Sequence, residues 1–398
     1  MKPVLNVLNN CRCAPLSLVS FYLVFLLLFF SQFGFAEKMR FERISTDQGL
    51  SQVSVNSILQ DHEGFMWFAT QDGLNRYDGY KFKIFQHDHR DPASLTSNWI
   101  NVLFEDRSGE LWVGTDGGLH KFNRQSNDFV RYVHDADDPN SIGGNIVLSI
   151  AEDDEGHLWA ATYMGGLNRL DRQSGKFTRY INDPANPKSL SNNKVFAVLV
   201  DHSNTLWVAT IGGGLNRFNR DSNNFTHFKH DPNDNRSLSH NRVHSLYQDQ
   251  AHNLWIGTRG GGLNRFEPDS GTFVRHRLAA NNQVVSDVSI IVSIFSDNNQ
   301  NLWVGTALSG LFRFDVKTSE YSHVLHDPLD LTGLGSNEVH SIYQDNSGLL
   351  WFGTYTSGVH KYNPKTRYFA HLNHQPNVPD SLKDNNIWAF LEDRKSVV

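Results

Sequence analysis

The chain has only two cysteines in 398 residues, and both, Cys11 and Cys13, lie near its start. The remainder can build neither a disulfide framework nor a cysteine metal centre, and a cysteine-free chain suits an oxidising compartment. Charge is sparse as well: 20% of residues are charged, the net charge is −6, and no lysine- or arginine-rich block occurs. A surface built to neutralise nucleic-acid phosphates is thereby excluded, and nucleic acid is not an expected partner. Helical periodicity is missing, since no long stretch repeats its apolar positions every 3.6 residues. Crossover helices and the parallel sheet they would serve are therefore unsupported. With 39% hydrophobic and 12% aromatic residues and just 12 prolines, the chain has ample core material, which rules out disorder and collagen.

One long apolar run stands out. Lys2 and Arg12 precede Leu16 to Phe30, which is almost wholly apolar, and Gly34 and Ala36 follow it. A basic start, an apolar core and small residues at the end match an export signal over residues 1–36, cleaved after Ala36. An uncleaved signal anchor is the alternative, because the run approaches the ~20 residues that span a bilayer. Cys11 and Cys13 precede the apolar core, so neither is a lipoprotein attachment site. The expected location is periplasmic or otherwise extracytoplasmic.

Tryptophan organises the rest. Seven of the nine, Trp67, Trp112, Trp159, Trp207, Trp255, Trp303 and Trp351, are separated by 45, 47, 48, 48, 48 and 48 residues. A fixed period of this size signals a repeat architecture. Each unit reads as four short segments, β-branched or aromatic and bounded by Gly, Asn, Asp or Pro, hence four strands. Repeated four-stranded antiparallel units point to an all-β, seven-bladed β-propeller, in which radial packing leaves no long exposed edge. The Gly-His…Trp-Asp signature of WD40 repeats is absent. Arg40 to Ile44 reads as an outer strand lacking its three predecessors, and its natural place is the outer edge of the last blade. The expected domains are a signal (1–36), the propeller (37–366) and the truncated start of a further propeller (367–398), to which Trp388 belongs.

Seven aspartates, Asp61, Asp106, Asp153, Asp201, Asp249, Asp297 and Asp345, each open a turn ahead of a repeated tryptophan. Their carboxylates are expected to accept backbone N–H groups. Glycine three residues later supplies a positive φ, a tolerance that Asn204, Asn253 or Asn301 also brings. The tryptophans are expected to fill interfaces between blades.

The run Gln60-Asp61-x-x-Gly64-x-x-Trp67-x-Ala-Thr70-x-x-Gly73-Leu74-Asn75-Arg76-Tyr77 and its copies resemble the two-component regulator propeller repeat. The resemblance covers about residues 40–398. It implies the periplasmic sensor region of a hybrid histidine kinase or diguanylate cyclase, in a parent anchored in the inner membrane and able to pair as a homodimer. The expected function is a ligand-sensing propeller, a fragment lacking its output domain, with no catalytic residues, metal or cofactor of its own. Membrane attachment would come only through the downstream part.

The Asp turns also resemble those of sialidases, which are structural and remote from catalysis. The arginines of the third strands, Arg76, Arg169, Arg217 and Arg265, read as lattice residues, and His87, His134, His230 and His326 as turn caps rather than metal ligands. A binding site is better sought where the repeats diverge, in the loops of one face. Trp99, Tyr163, Arg242, Arg259 and Tyr355 are the candidates, because stacking and hydrogen bonding to a small polar ligand such as an oligosaccharide need these types. A protein-binding scaffold propeller and, more remotely, a secreted carbohydrate-active enzyme are the alternatives.

Overall fold

The computed structural model describes residues 39–366 apart from 277, 281–282, 285–289 and 316–319. The signal expected over 1–36 and the second propeller expected to start at 367–398, Trp388 included, lie outside the described residues.

Seven four-stranded antiparallel sheets form a β-propeller. Blade 1 comprises Val55–Gln60, Met66–Thr70, Gly73–Tyr77 and Phe82–Phe85, paired in that order from the inside outward. The inner strands of blades 2 to 7 are Ile100–Glu105, Val147–Glu152, Val195–Val200, Val243–Gln248, Ile291–Ser296 and Val339–Gln344. Each inner strand packs on the inner strands of both neighbours, Val55–Gln60 against Val339–Gln344 included, so the ring is closed. A small hairpin, Ala279–Ala280 with Gln283–Val284, lies outside the blades.

Blade 7 has three strands of its own, and its outer strand is Glu42–Ile44 from the other end of the chain. The pairing is antiparallel, with Glu42 opposite Lys361 and Ile44 opposite Val359. Lys361 Nζ donates to Glu42 Oε2 at 2.9 Å, and the Phe41 N–H to the Thr332 carbonyl at 2.7 Å. In blade 2 the Phe129 N–H bonds the Ala93 carbonyl in the same way. The N-terminal segment thus takes the place and the pairing of a fourth strand, and the third strand of blade 7 is not left as an open edge.

The second strands are buried along their whole length, as Leu111–Thr115 shows. Their tryptophans face the next blade: Trp67 meets Phe122 at 5.1 Å between ring centroids, Trp159 meets Phe218 at 5.3 Å, and Trp351 meets Phe68 at 5.8 Å. An indole removed from water here contributes several kcal/mol, about 4 at ~25 cal/mol per Å². The threonine ending each second strand is buried and donates to the glycine carbonyl that opens the third, as Thr162 does to Gly166 at 2.9 Å. Gly166 has φ +72°, and a Cβ there would run into the Tyr180 carbonyl oxygen. Both facts demand glycine.

Candidate functional site

The two faces of the propeller differ in kind. On one face lie the aspartate turns. In all seven blades the tryptophan Nε1–H donates to Asp Oδ2 at 2.7–2.8 Å. The other carboxylate oxygen accepts the backbone N–H four residues on at 2.8–3.0 Å. The positive φ falls on Gly64, Gly109, Gly156, Asn204 and Gly348 as the pattern indicates, but in blades 5 and 6 on His252 and Gln300. Asn253 and Asn301 instead turn their amides onto Asp249 and Asp297.

Arginines from the neighbouring blade reach three of these carboxylates. Arg124 donates to Asp61 at 2.7 Å, Arg172 to Asp106 at 2.8 Å and Arg220 to Asp153 at 2.9 Å. Burial acts to raise the Asp153 pKa, but the hydrogen bonds from Trp159 and Arg220 outweigh it and hold the carboxyl below its ordinary value. Asp153, Glu155 and His157 also bring three ligand-type atoms within 4.8 Å of one another. Arg220 Nη1 already stands 2.9 Å from Asp153 and 3.0 Å from Glu155, so a cation occupies that cluster from within the fold.

Of the third-strand arginines, Arg76 lies 5.7 Å from the Trp67 ring and Arg169 5.8 Å from Trp159, while Arg265 pairs with Glu267 at 2.7 Å. His87, His134, His230 and His326 each place Nδ1 2.6–2.8 Å from a carbonyl eight residues later, on Leu95, Ile142, Leu238 and Leu334. In blade 3, Asn182 bonds Leu190 in the same way. These are loop fasteners.

The opposite face carries the divergent residues. In six blades the residue after the second strand donates its N–H to the residue preceding the inner strand. The pairs are Asp116 to Trp99, Tyr163 to Ile146, Ile211 to Lys194, Arg259 to Arg242, Ala307 to Ile290 and Tyr355 to Glu338, at 2.8–3.1 Å. Trp99, Tyr163, Arg242, Arg259 and Tyr355 therefore share one rim. Trp99 is 40% exposed and Tyr163 36% exposed.

Directly below the rim, every inner strand carries a β-bulge at its second residue. A bulge inserts one residue without a partner and re-aims its side chain. Here the bulged residues are Asn56, Asn101, Leu148, Phe196, His244, Val292 and His340, and all seven line a single cavity of about 530 Å³ at the channel mouth. Asn56 and Asn101 anchor their amide N–H groups on the backbone of the next blade, at Ile100 and Val147. Phe196 lies 4.8 Å from the His244 ring and 6.0 Å from Tyr163, and His340 lies 5.0 Å from Tyr355. Two of the rim candidates are thus joined to the cavity through the bulged residues.

His244 Nδ1 is buried with no partner among the described residues. Burial, then the nearby His340 and Arg259, pull the His244 pKa down to about 4, and burial lowers that of His340. Both rings are neutral at ordinary pH and can exchange hydrogen bonds without carrying charge. The bulged positions escaped the loop-by-loop reading of the sequence. The signal that could have found them is a variable residue between an invariant Val or Ile and a Ser, Ala or Val, as in Val243-His244-Ser245.

Seven near-identical blades thus close into a ring that presents one variable, channel-facing residue from each. Six segments, 49–72, 94–117, 141–164, 189–212, 237–260 and 333–356, match repeats of the family described as Two component regulator propeller. The blade carrying Trp303 falls outside the matched segments; its connection has Val285-Ser286 where the others have Ser or Gly followed by Leu or Ile. The extracellular domain of a protein described as the hybrid two-component system BT3049 from B. thetaiotaomicron is 28% identical. It superposes with a TM-score of 0.71 over 81% of this chain and 42% of that one. A second such domain from the same organism, BT4673, is 25% identical, with a TM-score of 0.65 over 83% and 40% of the two chains. Histidine kinase P4 of Formosa agariphila is 43% identical over 56 residues, 14% of this chain and 4% of that protein. The chain thus spans about two fifths of these two structures and a small part of the kinase. No helix among the described residues is long and apolar enough to cross a membrane.

Proposed function

We propose that this propeller is the extracytoplasmic ligand-sensing part of a two-component-type signalling protein whose output is a histidine kinase or diguanylate cyclase. In this reading it is exported by the segment 1–36, acts in the periplasm, catalyses nothing itself and works in a parent that pairs as a homodimer. One observation carries it. The blades repeat their packing residues closely, yet the seven bulged positions vary from Asn to Phe to His and converge on one cavity. Variation confined to a concave, convergent site is what recognition of a small molecule requires. The likeness to extracellular domains of two-component systems supports the signalling half.

The ligand is small and polar, and an oligosaccharide fits the lining. Phe196 and Tyr163 offer faces for the C–H side of a sugar ring, while Asn56, Asn101, His244 and His340 offer hydrogen-bonding atoms for hydroxyls. Thermal-shift screening of the purified protein against a panel of neutral and acidic oligosaccharides tests the reading. A ligand should raise the melting temperature, and the rise should vanish in Phe196→Ala. A panel without any shift would count against sugar sensing. Met164 and Leu308, 60% and 65% exposed on the same face, favour a protein partner as the second reading.

A further inference from the structure

Arg242 and Arg259 occupy adjoining positions at the channel mouth of blade 5. The Arg259 N–H donates to the Arg242 carbonyl at 2.8 Å, and bridges from Ile211 to Arg242 and from Arg259 to Ile290 fix both backbones between the neighbouring blades. In blade 6 the same two positions are held by Ile290 and Ala307, and both of these line the cavity. Both arginines are exposed, and neither guanidinium makes a hydrogen bond or ion pair among the described residues.

That contrasts with arginines elsewhere in the ring. Arg124, Arg172 and Arg220 lie on carboxylates, and Arg131, Arg179 and Arg275 lie on the carbonyls of Ser94, Ser141 and Ser237. Two arginines without a counter-charge at adjoining backbone positions raise the local positive potential, and the planar fork of each matches a carboxylate or sulfate. Lys194 adds a third cation on blade 4, with Nζ 5.8 Å from the Tyr163 ring.

The far side of the mouth is acidic. Asp72, Asp116 and Glu338 belong to blades 1, 2 and 7, where Asp72 accepts from Asn98 at 3.0 Å and Asp116 from Asn101 at 2.9 Å. The mouth is therefore dipolar, and an anionic group entering it is steered to blades 4 and 5. His240 and His244 sit in the same field: burial first, then Arg242 at His240 and His340 followed by Arg259 at His244, lower their pKa values.

We propose that Arg242 and Arg259 form a subsite for the carboxylate or sulfate of an acidic sugar, whose ring lies over Phe196 and His244. The inference rests on the sensing function proposed above and names the chemical class of its ligand. Isothermal titration of the purified protein with digalacturonic acid, a 4-sulfated chondroitin disaccharide and neutral galactobiose tests it and separates the two anion sources. At least one acidic probe should bind about tenfold or more tightly than galactobiose, as expected for charge-assisted pairing. Arg242→Gln/Arg259→Gln should abolish that preference and flatten the salt dependence without lowering the melting temperature of the unliganded protein. Arg259→Lys, which keeps the charge but loses the fork, should retain more binding than Arg259→Gln. Failure of both acidic probes to bind, equal affinity for galactobiose, or binding unchanged in the double variant would overturn the subsite. In those cases the sensing function stands if a neutral oligosaccharide binds, and falls only if no member of the wider panel does.

Discussion

Trp159 Nε1 and Arg220 Nη1 converge on one oxygen, Oδ2 of Asp153, at 2.8 and 2.9 Å, from two different blades. The carboxylate belongs to a turn of blade 3, the indole to the strand that follows it, and the guanidinium to blade 4. A side chain that closes its own turn thereby also fastens its blade to the next. The same arrangement joins blades 1 to 2 and 2 to 3, whereas Pro268 and Pro364 occupy the arginine's place in blades 5 and 7.

Arg220→Met should destabilise the protein by about 2 kcal/mol. Asp153 is fully buried and would keep its charge without the guanidinium, while the partial exposure of Arg220 moderates the loss. Asp153→Ala should cost more, because the turn and the indole lose their acceptor as well. Urea denaturation of both variants measures the order, and equal losses would contradict it.

Removal of residues 37–46 should lower the melting temperature by many degrees. It would strip Glu42–Ile44 from blade 7, expose the edge of Val359–Tyr362 and uncover Phe352 where Phe41 now covers it at 5.8 Å. Differential scanning calorimetry gives the answer. An unchanged transition would mean that ring closure contributes nothing.

Stability should fall between pH 6.5 and about 4. His120 and His360 are buried in third strands, and Nε2 of each accepts a backbone N–H, from Thr96 at 3.1 Å and Gly335 at 3.0 Å. Burial pulls both pKa values from 6.5 down to about 4. The neutral ring is thus favoured in the folded state, so its contribution is complete above pH 6.5 and is lost as the pH falls towards 4. The loss approaches 3 kcal/mol for each histidine, roughly. Asn75 Oδ1 accepts the Ser51 N–H at the equivalent place in blade 1, so His120→Asn/His360→Asn should keep the fold and reduce this slope, leaving the part contributed by His244. Chemical denaturation at several pH values in this window is the measurement.

Phe196→Ala should leave the melting temperature of the unliganded protein within about 2 °C while abolishing ligand-induced stabilisation. Phe196 is half-buried, on a bulge facing the cavity rather than in an interface between blades. Trp159→Ala, which opens the core between blades 3 and 4, should instead cost about 3–5 kcal/mol. Thermal shift on the two variants separates a binding position from a packing one.

Features made by neighbours in the chain were legible in the residues. The tryptophan period counts the blades, Asp153 and Gly156 spell their turn, and Arg40 to Ile44 can be recognised as an outer strand in search of a sheet. The rim positions followed from the same alignment, since Tyr163 and Tyr355 stand at equivalent points of the repeat. The positive φ falls on the third residue after each aspartate, which is His252 and Gln300 in blades 5 and 6; Asn253 and Asn301 stand one place further on, where their backbone and amide N–H groups bond the turn carboxylate.

The sequence alone determined the strand period, the turn chemistry and the number of blades, because each rests on hydrogen bonds and burial within a few residues. Only the tertiary structure decided that His244 and His340, two blades apart in sequence, line one cavity with Phe196 and Asn56. The physical reason is the bulge in each inner strand, which turns one side chain from the sheet into the channel. Closure of the ring then brings the seven together, as it brings Arg220 to an aspartate 67 residues away.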